Sequence, residues 1–165
     1  MKATNQGLRL AQTPYIVLMN NDTEAVEGWA EKLREPLDEH PMVGLVGGRT
    51  TTKDSWQGLA EGGKGYRVLD PGHMLAFFCT MIRKNVIERV GYLDERFGVG
   101  FADDDFYCWM AEQHGFRLAL RKDLVIPHHH RSTFKELYTE EEIKAMQDKN
   151  MKLFLKAKEE YDKRT

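Results

Sequence analysis

Apolar and polar positions along the chain fall into blocks that predict helices and strands in turn. Residues 3–12 read as a short helix, broken at Thr13-Pro14. Tyr15-Ile16-Val17-Leu18-Met19 is a continuous apolar run of β-forming residues, the pattern of a strand buried on both faces. It ends in the polar cluster Asn20-Asn21-Asp22-Thr23. Residues 24–39 carry Val26, Trp29, Ala30, Leu33 and Leu37 as a helix, with Pro36 expected to kink or end it early. Residues 43–48 form a second strand, so the first third alternates strand, helix, strand, as an α/β fold does.

From 50 to 72 the periodicity disappears. Gly58, Gly62, Gly63, Gly65 and Gly72 are interspersed with Trp56 and Tyr66, which reads as a long functional loop or lid. Residues 74–82 are strongly apolar and predict a buried strand. A short helix over 86–90 closes at Gly91, and a longer one over 103–114 closes at Gly115. Residues 116–120 alternate as a strand, and Leu124-Val125-Ile126-Pro127 leads into His128-His129-His130. Beyond a core spanning 1–134, residues 135–165 form an amphipathic tail helix. Thr139 and Glu142 fit a capping box, followed by an apolar stripe of Ile143, Met146, Asn150, Leu153, Phe154, Ala157 and Tyr161.

Composition narrows the class. At 165 residues the chain suffices for one domain with a sizeable core, and its 41% hydrophobic content is ordinary for a soluble protein. A formal net charge of −2 argues against a nucleic-acid partner. Cys79 and Cys108 stand in apolar surroundings and read as free buried thiols of a reducing compartment. No apolar run approaches the roughly 18–20 residues a membrane span needs. The first residues do not form a signal peptide, so a cytoplasmic location is expected.

Three polar groups at strand ends or a helix start are candidates for chemistry. Asp22 follows the first strand, where open α/β sheets bind ligands. The triplet Asp103, Asp104 and Asp105 opens a helix, either as simple N-terminal capping acids or as a site at which a bound cation offsets their repulsion. His128 and His130 share one face of an extended segment while His129 faces the other way. A carboxylate with an imidazole suits Mn²⁺ or Mg²⁺ with positions left for phosphate oxygens.

In this order the motifs resemble the carboxyl-terminal two-thirds of a family 2 glycosyltransferase domain of the GT-A fold. Asn5-Gln6-Gly7 with Ala11 is similar to that family's Asn-x-Gly helix, and Asn20-Asn21-Asp22 stands at its Asp-x-Asp position. The latter variant is common among rhamnosyltransferase-like members. Phe78 to Lys84 and Gly91 to Phe97 resemble the block before the acceptor site. Asp103-Asp104-Asp105 stands at the Glu-Asp catalytic motif, and Val125 to His130 where a histidine often completes the metal site. The resemblance implies a Rossmann-like, mostly parallel sheet flanked by helices and lacking the N-terminal base-binding part, whose first strand has no counterpart here. It implies metal-dependent inverting transfer of a sugar from a nucleoside-diphosphate sugar to a carbohydrate or other hydroxyl acceptor, as in polysaccharide biosynthesis.

In that scheme Asn5, Asn20, Asn21 and Asp22 meet the donor, and Asp22 with His128 or His130 holds Mn²⁺ or Mg²⁺. Asp104, or else Asp103, takes the acceptor proton. Asp94, Glu95, Trp56 and Tyr66 are acceptor-binding candidates. Two rival readings are a non-catalytic fragment acting as a binding module and a metal-dependent phosphoester hydrolase. An exposed sheet edge at the missing strands favours a homodimer.

Overall fold

The computed structural model describes residues 1–53, 55–129 and 136–163. In chain order it contains α1 (Lys2–Leu10), β1 (Tyr15–Met19), α2 (Trp29–Glu39), β2 (Val43–Thr50), α3 (Trp56–Leu59) and β3 (Tyr66–Val68). Then come β4 (Cys79–Arg83), α4 (Lys84–Val90), a 3-10 turn (Glu95–Phe97), α5 (Asp103–Gln113), β5 (Arg117–Ile126) and α6 (Glu140–Asp162).

The five strands form one sheet in the order β1-β4-β2-β5-β3. Because side chains alternate across a strand, neighbouring residues feed opposite cores. Leu45, Ile82, Leu118 and Leu120 join Leu8, Val86, Cys108 and Ala111 beneath α1, α4 and α5. Val46, Met81, Ala119 and Leu124 join Leu33 and Leu37 beneath α2. This is a three-layer α/β arrangement.

The sheet is mixed, not mostly parallel as expected. β1, β2 and β5 share one direction, but β4 runs against both β1 and β2, and β3 against β5. Three of the four neighbouring pairs are therefore antiparallel. β1 and β2, joined through α2, do point the same way, but the alternation of strand and helix says nothing of what lies between them. It could not reveal that β4 threads back between them, since an apolar run suits either sense of pairing.

Other local differences share that origin. With β4 on one side only, β1 is an edge strand and only half-buried, although Ile16 and Leu18 pack on one core and Tyr15 and Val17 on the other. The run over 74–82 becomes strand only from Cys79. The aperiodic stretch 50–72 holds the short α3 and the edge strand β3. The two pieces expected after Gly115 are one strand, β5, irregular where it passes from Arg121 to Val125 beside Gly48 and Arg49. Pro36 does not stop α2, which runs on to Glu39; Leu33, Pro36 and Leu37 are all buried, and that packing sustains the turn weakened by the missing amide.

The tail helix α6 has the expected Thr139–Glu142 capping box. It lies on the α5 side of the core, where Phe154 meets Phe106 and Tyr161 meets Trp109 edge-on. The expected boundary at 134/135 lies outside the described residues. Among the described residues no helix is long and apolar enough to cross a membrane.

Candidate functional site

Strands running the same way end on the same side, and their outgoing chain segments leave polar groups facing one space. Here β1, β2 and β5 deliver Asn20, Asn21 and Asp22, then Thr50, Thr52 and Ser55, then His128 to one open cavity of about 520 Å³. Phe77 and Phe78, just before β4, form part of its wall, and the unbroken segment from Val99 to Asp105 forms another.

Asp22 Oδ1 stands 3.2 Å from His128 Nε2, and both side chains are largely buried. Short backbone pairings set this geometry. Thr23 bridges to His128, the His129 amide donates to the Asp22 carbonyl at 2.9 Å, and the Glu24 amide donates to Pro127 at 3.0 Å. The His128 ring stacks on Phe78 at 5.2 Å, and its backbone N–H donates to Thr51 Oγ1. Burial lowers the His128 pKa, against the opposing pull of the Asp22 carboxylate. The exposed His129 points elsewhere, to Glu24 at 2.8 Å. His130 lies outside the described residues.

The acidic triplet fills the first turn of α5. Three successive helical positions would normally spread around the axis, yet all three line the cavity. The continuous wall from Val99 to Asp105 shows why: the cavity lies across the start of the helix, not along one flank. Ala102 is the N-cap, and both it and Phe101 adopt left-handed backbone, with φ of 60° and 70°. Such conformations are costly for residues with a Cβ and concentrate at functional sites.

Burial, followed by repulsion from Asp103 and Asp105, pushes the Asp104 carboxyl up to about 8. Burial and then Asp103 push Asp105 up to about 6, and burial raises Asp103 as well. The Asp105 amide donates to Asp104 Oδ1 at 3.0 Å, a partial offset. Among the described residues Asp105 Oδ1 is buried without a hydrogen-bond partner.

The remaining sequence candidates lie elsewhere. Asn5 is buried in α1, where its amide donates to Leu93 O at 2.8 Å and to Glu95 Oε1 at 3.1 Å, and its Oδ1 accepts from the Leu93 amide. It thereby clamps the segment carrying Asp94 and Glu95. Asp94 caps the 3-10 turn and grips Arg96 at 2.6 Å. Trp56 packs edge-on against His73, and Tyr66 sits on the far edge strand with its hydroxyl on Glu39. None of these five residues lines the cavity. Sequence reasoning missed Thr50, Thr52, Ser55 and Phe77, because their place depends on where β2 ends and β4 begins. Phe101 and Ala102 carried no signal, since neither residue type marks a left-handed turn.

The Asp22–His128 pair suits a divalent cation. Neighbouring ligands of an octahedral ion, each about 2.1 Å from it, stand about 3 Å apart, close to the separation observed. Among the described residues no cluster of three or more His, Cys, Asp or Glu side chains could hold a metal. A cation here would therefore take its other ligands from substrate phosphate and water, a common arrangement for Mg²⁺. Comparison with known families matches residues 1–91 to the family model described as Glycosyl transferase family 2. No curated protein matches the chain.

Proposed function

The chain belongs to glycosyl transferase family 2, and on that premise we propose that it transfers a sugar from a nucleoside-diphosphate donor to a hydroxyl acceptor with inversion. The observation that carries this reading is the meeting of the Asp22–His128 pair and the acidic triplet in one cavity. The two halves of the reaction need those two chemistries. Asp22 and His128 would hold Mn²⁺ or Mg²⁺ beside the diphosphate. The cation, when bound, supplies Lewis-acid stabilisation of the leaving group's charge.

The Asp104 carboxylate takes the proton of the acceptor hydroxyl. The acceptor oxygen then forms its bond to the anomeric carbon from the face opposite the departing diphosphate. A pKa of about 8 gives Asp104 far greater basicity than an exposed carboxylate, and positioned bases of this kind contribute about 10²–10⁴-fold. Asp103, also in the wall, is the other acid placed to serve. Phe77 and Phe78 offer apolar surface to a sugar ring, while Thr50, Thr52 and Ser55 offer hydroxyls.

Calorimetric titration with UDP, GDP and dTDP, with and without Mn²⁺, tests the donor half. Binding of one nucleotide that needs the metal, weakened at least tenfold in both Asp22→Ala and His128→Ala, supports the assignment. Absence of binding in the wild type, or binding indifferent to both substitutions, refutes it.

A further inference from the structure

We propose that Asn150, on the tail helix α6, is a positioning residue: it locks the left-handed Phe101-Ala102 turn and thereby aims the acidic triplet into the cavity. Asn150 is buried, 5% exposed. Its Nδ2 donates to the carbonyls of Phe97 at 2.8 Å, Gly100 at 2.6 Å and Phe101 at 3.2 Å. One NH₂ group has two hydrogens for these three acceptors, so at least one hydrogen is shared. The three carbonyls span the segment from the end of the 3-10 turn to the residue before the α5 N-cap.

Two arguments make this more than packing. First, carbonyl oxygens gathered on one point repel, and burying them unpaired is costly, so the turn depends on a donor at their focus. Second, two successive residues with a Cβ hold left-handed backbone here, a conformation that persists only where surrounding contacts over-determine it. The helix carrying Asn150 is itself anchored on both sides of the segment. Glu160 accepts from Arg96 at 3.2 Å, Phe154 and Tyr161 meet Phe106 and Trp109, and Lys158 lies over the Trp109 ring. A polar residue within an otherwise apolar stripe was the visible sequence signal.

This inference deepens the transfer reading, in which the triplet supplies the base, but it can be tested without turnover. Carbon-13 NMR would follow the titration of the Asp103, Asp104 and Asp105 carboxyls in the full chain as wild type, Asn150→Leu and Asn150→Ser. A released turn admits water to the triplet, so the midpoints fall by about one unit or more toward ordinary carboxylates in the folded variants. UDP, GDP or dTDP affinity with Mn²⁺ stays within threefold of wild type, because α6 packs on the 3-10 turn and α5, while the Asp22–His128 pair is carried by the segments that follow β1 and β5.

Midpoints unchanged in a folded variant overturn the proposal. If neither variant folds, proton exchange of the Asn150 side-chain amide in the wild type decides: slow exchange supports the lock, and exchange as fast as at the exposed Asn21 overturns it. Failure of every nucleotide to bind the wild type refutes the transfer reading, while the carboxyl titrations still decide the role of Asn150.

Discussion

Replacing Asp104 by Asn should stabilise the fold at alkaline pH while removing the proposed base. In the folded protein burial and two neighbouring acids hold the Asp104 pKa near 8, against an ordinary value of 3.8. Between those values the folded state binds more protons than the unfolded chain, so wild-type stability falls as pH rises through this window. The full contribution of the protonated carboxyl is present only below about pH 4. An amide has the same shape, can still accept from the Asp105 amide, and carries no such penalty.

From pH 5 to pH 8 three units at about 1.36 kcal/mol each bound the change at about 4 kcal/mol. Water in the open cavity and the positive end of α5 both ease the charge, so about 2 kcal/mol is expected between pH 5 and pH 9. Urea melts of both proteins at the two pH values measure this. The Asn variant should gain about 1 M in midpoint relative to wild type on going from pH 5 to pH 9. A difference that stays constant with pH, or a wild type that is the more stable at pH 9, would refute the electrostatic argument. Transfer activity should fall about 10²–10⁴-fold in the same variant.

Three further outcomes follow from other parts of the structure. Arg121 is nearly buried, with Asp123 at 2.6 Å and Glu35 at 2.7 Å, so Arg121→Met should cost about 1–3 kcal/mol at pH 7. Arg121 lowers the Asp123 pKa, so this loss should shrink as pH falls below about 4; a pH-independent loss would point to packing alone. Burial raises Cys79 to about 11 and Cys108 well above its ordinary value, so neither thiol should react with a disulfide reagent at pH 8 until urea is added. Fast labelling of the native protein would contradict that burial. Finally, a Cβ at Gly44 would meet Val86 Cγ2 at 2.7 Å and Phe116 at 3.0 Å. Gly44→Ala should therefore cost about 1–3 kcal/mol, with part recovered by adding Val86→Ala; an unchanged melting temperature would show that α4 yields freely.

Much of this protein was readable from local pattern. Periodicity announced α2, α5 and α6, the capping box named the start of α6, and Gly91 and Gly115 marked helix ends, because these features depend on residues a few positions apart. The order of motifs also singled out Asp22, the acidic triplet and the histidine run before any contact between them was visible.

What the tertiary structure alone decided is how distant segments meet. The direction and place of β4, the edge position of β1 and the union of β1, β2 and β5 ends into one cavity arise from the path of the whole chain. The same holds for single side chains. Asn5 matched a donor-site motif, and the fold sets its side chain on Leu93 and Glu95; Trp56 meets His73, and the Tyr66 hydroxyl meets Glu39. Asn150 stands in the tail-helix stripe as one inward position among others, and only the fold gathers three carbonyls around it. Periodicity encodes which face of an element is buried, whereas a buried polar group takes its meaning from a partner that can lie fifty residues away.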